Sequence, residues 1–281
     1  MGTKEIDAPE TNTLIESSRS IMEQAVEKYK PYATVVMLSG GDDSVTAYHV
    51  ARELGVEYDF VLHIRTGTGI PETGEYVERL VKGYGDRLVI ADAGTAYEDY
   101  VLRKGFFGMG RTGHNYAYHL LKAGPYRKAI SKKIRKRKHN RPVLLLNGAR
   151  KNESSNRTVK LDGWSNRDPA ARNNIWISLL YEWSKQDCTA YLRDRGIERN
   201  PVSIALHRSA ECMCGTMQSM EDRHLAAALY PEWGKWLNDL EKRSIFPWKW
   251  GESTTKAKMD KYKEELQLMC MHCTETDATT R

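Results

Sequence analysis

The chain has 281 residues, 40% hydrophobic and 28% charged, with a formal net charge of +6. That length suits one large α/β domain with an appendage and excludes a minimal binding module. With no apolar run of transmembrane length and a polar start, "MGTKEIDAPETNT", the expectation is a cytoplasmic protein with no membrane partner, and the positive balance admits an anionic one. The odd count of five cysteines, without an export signal, argues against a disulfide framework.

Residues 1–13 read as a flexible tail. Leu14, Ile21, Met22, Ala25 and Val26 fall near helical spacing, so a helix is expected over 14–29, ended by Pro31. "ATVVML" is a short β-branched run and reads as a buried strand. "DSVTAYHVAREL" follows as a helix closed by Gly55. "YDFVLHI" is a second strand, "TGEYVERLVKGYG" a helix and "RLVIADAG" a third strand. Residues 95–140 read as mainly helical and increasingly basic. "RPVLLLNGAR" is a fourth strand, and "NNIWISLLYEWSKQDCTAYLRDRG" carries a strand or turn and then a helix. After Pro201 strands cease, cysteines cluster and tryptophans become frequent. Strands alternating with helices imply a doubly wound, mostly parallel α/β sheet over 14–200, with a mainly helical, cysteine-bearing region over 201–281.

The most informative stretch is "LSGGDDSVTAYHV", 38–50. Glycines between a strand and a helix let backbone N–H groups turn toward phosphate oxygens, and the helix N-terminus adds positive dipole character. Ser39 and Ser44 offer hydroxyl donors. The plainer alternative is a glycine turn with Asp43 or Ser44 capping a helix. The spacing matches neither a Walker loop nor G-x-G-x-x-G.

The Ser-Gly-Gly-x-Asp-Ser hexapeptide resembles the PP-loop of the ATP pyrophosphatases and sulfonucleotide reductases, the adenine nucleotide alpha hydrolase superfamily. "TGTGIPET" (66–73), "NGARKNESSNR" (147–157) and "ERNPVSIALHRSAECMCG" (198–215) resemble further segments of its adenylyl-sulfate reductase branch, in the same order. The resemblance implies a Rossmann-like fold with an adenine nucleotide at the C-terminal edge of the sheet. It further implies that Ser39, Gly40, Gly41, Asp43 and Ser44 hold the pyrophosphate end of ATP. His63, Thr68 and Gly69 then lie near the adenosine. Gly148 lies at the nucleotide, Arg150 and Arg157 neutralise phosphate or substrate charge, and Glu153 holds Arg157 or Mg²⁺. For Arg150, Arg157 and Glu153 a surface salt-bridge network is the alternative. Asp42 departs from the family, where lysine is common; it either points to solvent, the favoured expectation, or holds Mg²⁺ against the phosphates.

Cys212-x-Cys214 and Cys270-x-x-Cys273, separated by 55 residues, are two tight thiol pairs. On chemistry alone they suit tetrahedral zinc or an iron–sulfur cluster. Resemblance to reductases and DNA phosphorothioation proteins favours a [4Fe–4S] cluster. His272 is expected in a solvent-facing loop and Cys188 as a small buried hydrophobe.

"YRKAISKKIRKRKHNR", 126–141, carries nine Lys and Arg over a narrow Ile130/Ile134 stripe. It reads as a phosphate-backbone footprint or as a solvated helix face. The Glu-Cys-Gly-x-His segment of sulfonucleotide reductases has no counterpart here, which argues against that activity. The nearest resemblance is to the reductase-like proteins of the Dnd and Ssp DNA phosphorothioation systems. It implies an ATP pyrophosphatase that adenylates an oxygen of nucleic acid, DNA before tRNA, for replacement by sulfur. A cysteine desulfurase and other modification subunits are the implied partners. A tRNA thiolase, a sulfonucleotide reductase and a non-catalytic cluster-bearing subunit are the alternatives.

Overall fold

The computed structural model describes residues 8–134, 141–151 and 163–253. The chain divides into two compact units. One comprises Met1–Arg65, Gly69–Asp92 and Gly124–Cys212; the other comprises Thr66–Thr68, Ala93–Ala123 and Met213–Arg281.

The first unit is built on a six-stranded sheet. In chain order its strands are β1 (Ala33–Met37), β2 (Phe60–Arg65), β3 (Leu88–Asp92), β4 (Val143–Asn147), β5 (Ser165–Arg167) and β6 (Asn174–Ser178). Their spatial order is β3-β2-β1-β4-β6-β5. Every neighbouring pair is parallel except β5 with β6. β1 and β4 are buried throughout apart from Asn147, as continuous apolar runs between two helical layers must be. The doubly wound α/β expectation therefore holds. The sequence reading missed β5, since Ser165-Asn166-Arg167 is polar and too short to alternate.

One face of the sheet presents Val36, Val61, Leu144, Leu146, Ile175 and Ile177. Packed into this core are α1 (Ala8–Tyr29), α2 (Asp42–Glu53), α3 (Pro71–Gly83) and α7 (Lys185–Asp194). Each fully buried Leu, Ile or Val contributes about 1.5–3 kcal/mol relative to exposure. α1 starts before the helix expected over 14–29. Cys188 lies in this core, and burial pushes its thiol well above the ordinary range, so it behaves as a small apolar side chain.

α6 (Gly124–Lys133) packs against β2 and β3. It buries Tyr126 and Ile130 and exposes Lys128, Lys132 and Lys133. Arg127 is committed elsewhere: its guanidinium takes both oxygens of buried Asp168, at 2.6 and 3.1 Å. Residues 135–140 of the basic run lie outside the described residues.

The second unit contains α4 (Ala96–Lys104), α5 (Arg111–Tyr118) and a π-helical turn, His119–Ala123. It also contains α9 (Met220–Leu229) and α10 (Pro231–Arg243), both after Pro201, where helices were expected. Ser219 and Asp222 form a capping box at the start of α9. Among the described residues no helix is long and apolar enough to cross a membrane.

Candidate functional site

Winding of the sheet reverses between β1 and β4, so the loops leaving these two strands are not bridged by a neighbouring crossover. Such a switch point leaves a crevice at the carboxyl edge of a parallel sheet. The 38–41 loop leaves β1 there, and the 148–151 loop leaves β4.

Leu38 still donates to Leu62 O as if in the ladder, and the chain then turns into α2. Gly40 takes φ +82°, and a Cβ on it would lie 2.9 Å from Thr73 Cγ2. Glycine is therefore required by both conformation and space. Ser44 stitches the turn. Its Oγ accepts from Ser39 N and Ser39 Oγ, both at 3.1 Å, and donates to Gly41 O at 2.9 Å. Gly41 is the N-cap of α2 and has no side-chain cap, so the first turn of the helix faces the loop with its backbone donors.

A later segment fastens the loop from outside. Asn200 caps α8 (Pro201–Leu206) and donates to Gly40 O at 3.0 Å and to Thr73 Oγ1 at 3.2 Å. Thr73 in turn donates to Ser209 O at 2.6 Å, and a Cβ on Gly41 would stand 3.3 Å from Ser209 Cβ. The loop is thus hydrogen-bonded on its outer side to the 200–209 segment, which is bonded in turn to α3.

Two acid–arginine pairs occupy the first turn of α2. Arg199 grips Asp42 with Nε at 3.1 Å and Nη2 at 2.6 Å. This corrects the expectation that Asp42 points to solvent, because a half-buried carboxylate at this position keeps its charge by pairing. Arg150 Nη2 meets Asp43 Oδ2 at 3.1 Å. Burial is reversed between the pairs. Arg199 is 30% exposed and Asp42 11%, whereas Arg150 is 8% exposed and Asp43 27%. Gly148 backs onto the same turn, where a Cβ would collide with the Asp43 carbonyl.

The remaining predicted residues fall in different places. His63 is fully buried, with Nδ1 2.8 Å from Leu38 O and Nε2 3.1 Å from Glu211 Oε2. Its Nδ1 ties it to the end of β1, whereas Nε2, although close to Glu211, makes no hydrogen bond of good geometry among the described residues. Gly69 permits the close passage of the Ala210 and Glu211 carbonyls, and Ile70 N donates to Ala210 O at 3.0 Å. In the second unit, Thr68 Oγ1 accepts from Met213 N at 3.0 Å and Thr68 O from Trp233 Nε1 at 3.0 Å. Glu153 and Arg157 lie outside the described residues.

Among the described residues Cys212 and Cys214 form no disulfide. Cys214 is 2% exposed, its sulfur 3.3 Å from Thr216 Oγ1. Its carbonyl accepts from Tyr97 OH at 3.1 Å, and the preceding Met213 carbonyl from Trp250 Nε1 at 2.8 Å. Gly215, at φ +85°, completes this tightly packed turn. Among the described residues no three His, Cys, Asp or Glu side chains converge as a metal site. Cys270, His272 and Cys273 lie outside the described residues. Two thiols one residue apart in the sequence are a soft donor pair of the kind that suits iron–sulfur or zinc ligation.

Arg199, Asn200, Ser209 and Glu211 were missed as site residues. Asn200-Pro201 is a legible helix start, but nothing in the sequence pairs position 199 with position 42.

The family model described as "Phosphoadenosine phosphosulfate reductase domain" matches residues 33–217. No curated protein matches by sequence. Among solved structures, the fold is similar to NMN synthetase from Francisella tularensis, with 14% identity and TM-score 0.51 over 85% of this chain and 98% of that one. Phosphoadenylyl-sulfate reductase from Candida auris aligns with 15% identity and TM-score 0.48, over 72% of this chain and 93% of that one. FMN adenylyltransferase from Candida glabrata, solved with ATP, aligns with 12% identity and TM-score 0.46 over 68% of this chain. The chain spans 58% of that enzyme.

Proposed function

Since this chain belongs to the phosphoadenosine phosphosulfate reductase domain family over residues 33–217, we propose that it is an ATP pyrophosphatase that activates an oxygen of nucleic acid for replacement by sulfur. The observation that carries this reading is the Ser39–Ser44 loop, held at the switch point against the first turn of α2. That arrangement presents backbone N–H groups and a helix dipole to phosphate.

In this reading the loop binds the β- and γ-phosphates. A non-bridging oxygen of a DNA phosphate attacks the α-phosphorus of ATP, forming a P–O–P linkage and releasing pyrophosphate. The outer sulfur of a cysteine desulfurase persulfide then attacks the activated DNA phosphorus, AMP departs with the original oxygen, and a second thiol attacks the carrier sulfur of the P–S–S link, releasing the phosphorothioate and leaving a disulfide. The protein's part is positioning and charge neutralisation. Asp43, the more exposed of the two carboxylates, would hold a Mg²⁺ ion bound with the nucleotide, which would supply charge neutralisation at the phosphates. Cys212, Cys214, Cys270 and Cys273 would hold a [4Fe–4S] cluster, which when bound supplies a sulfur- or electron-handling centre. The exposed lysines of α6 support a polyanionic acceptor, and in this reading the protein works with a modification assembly like those of the Dnd and Ssp systems.

The test is pyrophosphate release from ATP with and without DNA. DNA is expected to stimulate release, and Ser44→Ala to reduce it at least tenfold. Stimulation by tRNA alone would move the acceptor to a base, and no release under any condition would leave a binding subunit.

A further inference from the structure

We propose that Arg199 is the residue that presents positive charge to the nucleotide's phosphates at this loop, and that Asp42 is its positioning acid. The inference rests on the nucleotide-binding reading above. It starts from a conflict. A helix N-terminus flanked by glycines attracts anions, yet α2 opens with two adjacent carboxylates. A phosphate approaching two uncompensated acids would be repelled, so each acid needs a cation. Asp43 has the buried Arg150 and Asp42 has Arg199.

The two cations are not equivalent. Arg150 is sealed beneath Asp43, so that pair turns its carboxylate outward. In the other pair the carboxylate is the shielded member, at 11% exposure, and the guanidinium faces solvent at 30%. Asp42 takes Nε and Nη2 of Arg199, and Nη1 forms no hydrogen bond among the described residues. A bidentate carboxylate fixes the plane of a guanidinium and leaves its far edge able to donate. Asn200, the next residue, is anchored to Gly40 O, so the backbone that carries Arg199 is fixed to the loop itself. Asp42 is then a holder, where an unpaired acid would repel the ligand.

The experiment compares affinities of ATP, ADP and adenosine for the full chain and for Arg199→Ala, Arg199→Lys and Asp42→Asn, with thermal denaturation of each. Arg199→Ala should weaken ATP at least tenfold and ADP by less, with adenosine within twofold of the unaltered chain. Arg199→Lys should recover part of the ATP affinity, because it keeps the charge and loses the fork. Asp42→Asn should weaken ATP about threefold, as the guanidinium is no longer fixed. Equal losses for ATP and adenosine in Arg199→Ala would overturn the proposal in favour of a purely structural clamp. Unchanged ATP affinity in that variant would overturn it too, while leaving the nucleotide reading intact. An unaltered chain that binds no ATP would refute the parent reading and this one with it.

Discussion

Gly148 lies against Asp43 so closely that a Cβ on Gly148 would overlap the Asp43 carbonyl and crowd Ser44 N. The contact joins the exit of β4 to the first turn of α2, across the point where the sheet reverses its winding. A side chain here cannot be absorbed by a rotamer change, because the opposing atoms are backbone.

Gly148→Ala should therefore push the two loops apart. Overpacking of this kind costs about 1–3 kcal/mol. The expected result is a lower urea midpoint and nucleotide affinity reduced at least tenfold. Wild-type values for both would show that the loops separate freely.

His63 and Glu211 should be energetically coupled. Each single truncation leaves a buried polar partner behind, at a cost of about 1–3 kcal/mol. In a double-mutant cycle of His63→Ala and Glu211→Ala, coupling of about 1–2 kcal/mol is expected. Additive losses, measured by chemical denaturation, would mean that the 3.1 Å contact contributes nothing.

His49 gives the fold an acid-sensitive element. Burial, reinforced by the Arg52 charge, lowers its imidazole from 6.5 to about 4. The folded state thus favours the neutral ring, and the unfolded chain takes up the proton first. The stability this provides is complete above pH 6.5 and is lost as pH falls toward 4, on the order of 2–3 kcal/mol in all. Asp86 and Glu53, held low by their partners, add their losses only as the pH enters the carboxylate range. His49→Phe should flatten the denaturation midpoint between pH 6.5 and 4.5. An unchanged slope would assign the loss to other groups.

On the proposed reading, Cys212, Cys214, Cys270 and Cys273 should retain metal. Anaerobic purification is expected to give about four irons and four sulfides per chain with a broad band near 400 nm. Cys214→Ser should lower the iron content sharply. One zinc without sulfide would instead make the cysteines a structural clip.

The strand–helix alternation was legible because β-branched runs such as "ATVVML" and "RPVLLLN" carry their burial in local composition. So was the Ser39–Ser44 turn, since its glycines and hydroxyls act within six residues of one another. β5 was invisible, because only its partner β6 makes a strand of Ser165–Arg167. Whether Asp42 faces solvent, a metal or a cation depended on Arg199, which is 157 residues away. His63 shows the same limit. Its place after a motif-bearing strand suggested a ligand contact, while the fold buried it between Leu38 O and Glu211. By itself the sequence determined the elements and the anion-binding turn, because these follow from local backbone preference and periodic burial. Which charge neutralises which was decided only by tertiary structure, because electrostatic pairing depends on distance in space and not along the chain.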